Sequence, residues 1–189
     1  NKNRDFLESY LEDEALPMDN NKKIKFIDLF AGIGGIRKGL ELACADRGIT
    51  AECVFTSEIK PYAVEVLKQN HPNEEIHGDI TQISATDIPD FDILLAGFPC
   101  QAFSMAGKRL GFEDTRGTLF FQVEDILRRH QPKAFFLENV KGLAIHDHGR
   151  TLKTILEHLD DAGYAVVPPQ ILNAMDFGVP QHRERIYIV

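Results

Sequence analysis

Cysteine is scarce and unpaired in this sequence: Cys44, Cys53 and Cys100 are the only three, and no C-x-x-C spacing occurs. An odd, scattered set excludes a disulfide framework and gives no reason to expect a metal site. No stretch approaches the roughly 18 to 20 consecutive apolar residues that a bilayer span needs. The polar start Asn1-Lys2-Asn3-Arg4-Asp5 has none of the features of a secretory signal, so a soluble, cytoplasmic protein without membrane partners is expected. A basic excess is missing too. The net charge is −8, from 21 Lys and Arg against 29 Asp and Glu, whereas nucleic-acid binders usually carry a basic footprint. Half of that excess lies in residues 1–20, where six acids (Asp5, Glu8, Glu12, Asp13, Glu14, Asp19) face two bases (Lys2, Arg4).

What is present is an ordinary globular composition, 43% hydrophobic and 26% charged over 189 residues, which suits one domain with a short appendage. Phe6, Leu7, Tyr10 and Leu11 give residues 5–16 a short amphipathic helix that Pro17 ends, so residues 1–22 read as an acidic helical extension and linker. Residues 23–189 then alternate. Ile24 to Leu29 reads as a strand and the glycine-rich Ala31-Gly32-Ile33-Gly34-Gly35 as a turn, with a helix from there to Gly48. Ala51 to Ser57 is a second strand, and Pro61 opens a helix that ends at Asn70-His71-Pro72, with Tyr62, Val64, Val66 and Leu67 as its apolar surface. A short strand ends at Gly78-Asp79. Asp92 to Ala96 and Ala134 to Glu138 read as buried strands, Thr118 to His130 and Thr151 to Gly163 as helices, and Tyr164 to Leu172 and Arg185 to Val189 as two closing strands. This alternation predicts an α/β fold with a doubly wound, mostly parallel sheet, whose ligands lie at the carboxyl ends of the strands.

Four segments fall at those ends. After the first strand, Phe30-Ala31-Gly32-Ile33-Gly34-Gly35 lets the backbone approach a ligand at a helix amino terminus. The dinucleotide fingerprint G-x-G-x-x-G fails, because its third glycine would fall at Arg37. Glu58 is placed to accept hydrogen bonds from a ribose diol, and Asp79 to reach the exocyclic amine of a base or to act as a solvated turn residue. After the fourth strand comes Gly97-Phe98-Pro99-Cys100-Gln101-Ala102-Phe103-Ser104-Met105-Ala106-Gly107, whose cysteine faces the ligand side or is simply buried in the loop. Cys44 and Cys53 read as core residues. Leu137-Glu138-Asn139-Val140 closes the fifth strand, where an apolar surrounding would help Glu138 keep its proton, or where Glu138 and Asn139 serve only as turn or cap residues. The fourth segment is Gln181-His182-Arg183-Glu184-Arg185, whose arginines are either site residues or surface charges.

In this order and spacing, Phe30-Ala31-Gly32-Ile33-Gly34-Gly35, Gly97-Phe98-Pro99-Cys100-Gln101, Glu138-Asn139-Val140 and Gln181-His182-Arg183-Glu184-Arg185 resemble the DNA cytosine-5 methyltransferases, over roughly Lys23 to Val189. Related RNA methyltransferases are the nearest confusion, and Phe103-Ser104-Met105-Ala106-Gly107 is more similar to the bacterial DNA enzymes. The resemblance implies the Rossmann-like fold of S-adenosylmethionine-dependent methyltransferases and S-adenosylmethionine as the cofactor. It also implies double-stranded DNA with a flipped cytosine as the partner, and a nucleoid-associated role in a bacterial restriction–modification or related DNA-marking system. Cys100 would add to carbon 6 of cytosine. Glu138 would protonate or hydrogen-bond ring nitrogen N3, and Arg185 with Arg183 would hold the base carbonyl and orient Glu138.

Cofactor contacts carried over by position are Phe30, Gly32, Gly34, Gly35, Glu58, Ile59, Asp79, Ile80 and Pro99. Ile59 stands where many relatives have an aromatic residue, which weakens stacking on the adenine. DNA contacts fall on Gln101, Ser104, Lys108, Arg109 and Arg116. The connection from Phe98 to Gly117 is far longer than the two to six residues usual for such a link, and reads as a lid over the flipped base, or as a fixed surface loop. In the family the chain continues past the Gln-x-Arg-x-Arg segment into a target-recognition portion, expected here in cis or as a partner subunit. Two alternatives remain. A nucleotide-binding oxidoreductase is disfavoured by Arg37, and an inactive methyltransferase-like scaffold, or one subunit of a split enzyme, must be weighed against intact Cys100, Glu138 and Arg185.

Overall fold

The computed structural model describes residues 22–99 and 119–189. The helix expected over residues 5–16 lies outside them. So do Cys100, Gln101, Ser104, Lys108, Arg109 and Arg116, and with them the lid reading of the segment that follows Pro99.

Within the described residues the predicted alternation is present: β1 Lys23–Leu29, α1 Gly35–Ala45, β2 Thr50–Ser57, α2 Pro61–Asn70, β3 Ile76–His77, β4 Ile93–Ala96, α3 Leu119–His130, β5 Ala134–Val140, α4 Arg150–Asp161, β6 Gln170–Asn173 and β7 Glu184–Ile188. Seven strands form one sheet in the order β3-β2-β1-β4-β5-β7-β6, in which β7 runs antiparallel to both of its neighbours and the other described pairings are parallel. The order reverses between β1 and β4, and their carboxyl ends open the crevice where doubly wound sheets bind ligands.

Local sequence explains the elements. Pro61 sits in the first turn of α2, where its missing N–H costs nothing. Gly34 caps α1 at φ +87°, a left-handed conformation that favours glycine, and it packs beside Leu67 of α2. On one face of the sheet Ile27, Leu29, Leu94, Leu137, Ile186 and Ile188 pack beneath α3 and α4, whose Val123, Leu127, Ile155 and Leu159 are fully buried. Each such side chain removed from water contributes about 1.5–3 kcal/mol. The opposite face carries α1 against β1, β2 and β4 and α2 against β3, but beyond α1 it opens into a trough of about 790 Å³ floored by Leu95, Phe136 and Tyr187.

Three expectations need correction. α2 buries Ala63 and Leu67 while Tyr62 is 64% exposed, because the helix meets the sheet along a narrower stripe than its apolar content suggests. The penultimate strand is confined to Gln170–Asn173, since Pro168 and Pro169 lack ladder donors and keep the preceding segment out of regular pairing. Asp79 stands outside β3 and caps the single 3-10 turn Ile80–Gln82 instead, accepting from Thr81 N.

Arg37, read from sequence only as a missing glycine, fastens this half of the molecule. Its side chain is 5% exposed, and its guanidinium binds both oxygens of Glu74 at 2.6 and 2.7 Å and Glu41 at 2.7 Å, and lies 5.8 Å over the Phe26 ring. It thereby joins α1, β1 and the turn after α2. Arg37→Gln is expected to lower stability by about 2 kcal/mol, below the usual value for a broken buried pair because both glutamates are part-exposed. Urea denaturation reads the loss, and an unchanged midpoint would show the clamp to be idle.

Candidate active site

The chain leaving β1 turns sharply. Phe30 takes φ +54°, an unusual conformation for a bulky residue, and Gly32 follows at +56°. Ala31 N donates to Ser57 O at 3.1 Å, which fastens the turn to the end of β2. Glu58, 7% exposed, is folded onto the same turn: Oε2 accepts the Gly32 N–H at 2.7 Å, and Oε1 accepts those of Ile59 and Lys60 at 2.8 Å. A carboxylate offers about four acceptor positions, so three backbone bonds fix Glu58 and leave Oε2 able to accept one more, as a ribose hydroxyl requires.

Gly35 opens α1, with no acid in its first turn. Ile59 is 65% exposed beside this turn, whereas Ile80 sends its side chain into the core at 2% exposure and can meet a ligand only through its backbone. Asp79 is exposed, with Oδ1 held by Thr81 N and Oγ1. Pro99 is exposed at the end of the segment leaving β4.

A second group gathers at the ends of β4, β5 and β7. Glu138 Oε1 lies 2.8 Å from Arg185 Nε and 3.8 Å from Arg183 Nη2. Arg185 is steadied by a 2.8 Å bond from Nη1 to Glu184 O. The carboxyl therefore faces two guanidinium groups rather than the apolar setting its sequence neighbours suggest. Gly97 forms the wall beside it: a Cβ there would stand 3.3 Å from Ile36 Cδ1 and 3.5 Å from Glu138 Oε2, so any side chain would press on Ile36 and sit against the carboxyl. Burial pushes the thiols of Cys44 and Cys53 above the ordinary cysteine value, which makes both poor nucleophiles. Among the described residues no cluster could hold a metal ion, and no helix is long and apolar enough to cross a membrane.

Sequence reasoning missed Asp28. It lies 1% exposed near the end of β1, and neither carboxyl oxygen has a hydrogen-bond partner. Burial pushes its pKa from 3.8 to about 7; Arg37 opposes that shift, and Glu58 and Glu41 add to it. The available signal was an acid set among apolar residues in Phe26-Ile27-Asp28-Leu29. At the glycine turn itself the acid is Glu58, and Phe30–Gly35 has no basic side chain of its own, which suits a cationic adenosine-bearing ligand better than a pyrophosphate.

The C-5 cytosine-specific DNA methylase family model matches residues 24–189. The chain is 63% identical over 174 residues to the Type II methyltransferase M.NlaIV of Neisseria lactamica, covering 88% of this chain and 41% of that protein. It is 57% identical over 184 residues to the Type II methyltransferase M.HpaII of Haemophilus parainfluenzae, covering 96% of this chain and 49% of that one. Among solved structures, the S. pombe Dnmt2 methyltransferase superposes with a TM-score of 0.67 at 27% identity, over 88% of this chain and 49% of that one. The chain thus spans less than half the length of these relatives.

The raised pKa of Asp28 gives stability a definite pH dependence. Its neutral form is favoured by the folded state, so the contribution is complete below about pH 4 and is lost as pH rises through about 7. Asp28→Asn removes that loss. Its melting temperature should exceed that of the parent by at least about 4 °C at pH 8, with the gap closing toward pH 4. A gap independent of pH would show that Asp28 does not titrate in this range.

Proposed function

The chain belongs to the C-5 cytosine-specific DNA methylases, and from that premise we propose that it carries the catalytic half of an enzyme that methylates carbon 5 of a cytosine flipped out of duplex DNA. Its setting is the modification arm of a bacterial restriction–modification system. The observation that carries this reading is the carboxyl of Glu138 held 2.8 Å from Arg185, beside the end of the β4 segment whose next residue is Cys100.

Carbon 5 of cytosine is a poor nucleophile until a group adds at carbon 6. Cys100 is assigned that addition: its thiolate forms the carbon–sulfur bond and pushes electron density toward carbon 5 and the ring. Glu138 donates a proton or hydrogen bond to N3, where the density would otherwise accumulate as charge. Arg185, with Arg183 behind it, binds the base carbonyl through planar donors and keeps Glu138 aimed at the ring. Once carbon 5 carries the transferred methyl group, loss of its remaining proton expels the thiolate, breaks the carbon–sulfur bond and regenerates Cys100. A base inside the duplex is out of reach of these groups, so it must leave the stack.

The turn fits S-adenosylmethionine, which supplies an electrophilic methyl group when bound. Glu58 is assigned to the ribose, Phe30 to the adenine or sulfonium, and the Gly32, Gly34 and Gly35 backbone to the close approach. Ile59, Asp79, Ile80 and Pro99 complete the rim. Gln101, Ser104, Lys108, Arg109 and Arg116 are assigned to DNA.

The relatives extend far beyond the matched segment, and the apolar trough beside α1 offers that extension a surface to cover. Much of the DNA-reading surface is assigned to it, in cis or as a partner subunit, in keeping with the acidic balance here. Residues 1–189 alone are expected not to methylate DNA detectably, and the added remainder is expected to restore activity. Robust sequence-specific methylation by residues 1–189 would overturn that division of labour.

In the full-length protein, Cys100→Ser is expected to abolish turnover, because an alcohol is far less ionised than a thiol at neutral pH. DNA carrying 5-fluorocytosine should become cross-linked, with cofactor present, to a peptide containing Cys100. A cross-link at Cys44 or Cys53 would refute the assignment. Glu138→Gln is expected to slow single-turnover methylation by about 100-fold, the usual scale of general acid catalysis.

A further inference from the structure

The amide of Asn139 does something that Glu138 beside it does not. β4 and β5 pair as far as Ala96 and Leu137. Beyond that point Gly97 turns its N–H to Leu29 O of β1 at 3.3 Å, and the parallel ladder between β4 and β5 stops. Phe98 and Asn139 occupy the position two residues further along the same register. There a side chain takes over from the backbone: Asn139 Nδ2 donates to the Phe98 carbonyl at 2.9 Å, and Oδ1 accepts the Val140 N–H at 2.8 Å.

Asn139 and Phe98 are each 2% exposed. A buried amide with a donor and an acceptor position both used is fixed in orientation, because turning it would strand two polar groups away from water. The peptide that it holds has little else to offer the sheet. Pro99 has no N–H, so the Phe98 carbonyl is the one hydrogen-bonding group of the Phe98–Pro99 peptide; the Phe98 ring is anchored in the core against Phe120, and the amide of Asn139 adds the bond that fixes the peptide itself. Cys100 follows one residue later in sequence, and Glu138 precedes Asn139 by one.

We infer that Asn139 is a positioning residue: it fixes the Phe98–Pro99 peptide, and with it the chain entering Cys100, against the strand that bears Glu138. The inference rests on the function proposed above. Placement of this kind matters, because a misplacement of about 1 Å at a reacting group can cost on the order of 100-fold in rate. Aspartate is the informative replacement. It keeps the shape and the acceptor for Val140 N–H, but sets an oxygen against the Phe98 carbonyl.

The test uses the full-length protein with saturating cofactor and duplex DNA containing 5-fluorocytosine. Asn139→Asp and Asn139→Ala are expected to slow covalent adduct formation by about 10- to 100-fold, while the dissociation constants for cofactor and DNA change by less than about threefold. Ile155→Val, in the α4 core and remote from the site, supplies the comparison: it should lower the melting temperature and leave the adduct rate unchanged. Variants that react within about twofold of the parent overturn the inference. It is also overturned if cofactor affinity and the thermal transition are lost together with the rate, since Asn139 would then be structural only. A parent that forms no adduct overturns the functional reading itself, and the two failures are thereby distinguished.

Discussion

The pairing of Glu138 with its arginines depends on β7 running antiparallel to β5. In that register Val140 stands opposite Arg185 and Glu138 opposite Tyr187, so Glu138 and Arg185 are diagonal neighbours on one face, within reach of long side chains. A parallel β7 would carry its arginine-bearing end to the far side of the sheet. Glu138 would then lose both arginines that now meet it. The reversal therefore builds the polar half of the site, and β6, paired beyond β7, closes the sheet behind it.

The two halves of the site have opposite charge character. Around the glycine turn the described side chains are acidic: Glu58, spent largely on backbone amides, and Asp28, buried without a hydrogen-bond partner. Arg37 lies on this side too, but Glu74 and Glu41 occupy its guanidinium. At the ends of β5 and β7 the exposed Arg183 and the part-buried Arg185 are turned toward Glu138. The cationic cofactor and base carbonyl of the proposed reaction would call for that division. Gly97 stands between the halves, and its missing side chain lets Ile36 of α1 and Glu138 of β5 approach the same point. Net charge summed over the chain conceals this arrangement.

The sheet is covered unequally. α3 and α4 bury one face, whereas α1 and α2 cover only part of the other and leave Leu95, Phe136 and Tyr187 at the floor of an open trough. An apolar surface of this kind on the face of a sheet is costly in water, and relatives more than twice as long as the matched segment have the chain with which to cover it.

Element type and order were legible in the sequence because period and punctuation are local properties. Pro61 marks a helix start, Gly34 a cap, and the apolar run at Ile93–Ala96 a strand buried within the sheet. The glycine turn, Glu58, Glu138 and the arginine pair could be singled out for the same reason: each stands at the end of a strand that pattern alone reveals. What sequence could not supply is what each side chain meets. Arg37 looked like a failed glycine until Glu74, 37 residues away, closed on it. Asp28 looked like one more acid until burial left it without a partner, and Asn139 looked like a turn residue until Phe98 O, 41 residues away, took its amide. Local sequence determined where the chain would bend and which residues would reach the crevice. Only the tertiary structure, which decides distance between residues remote in the chain and the water left around them, determined which charges are paired, which are buried and which are aimed.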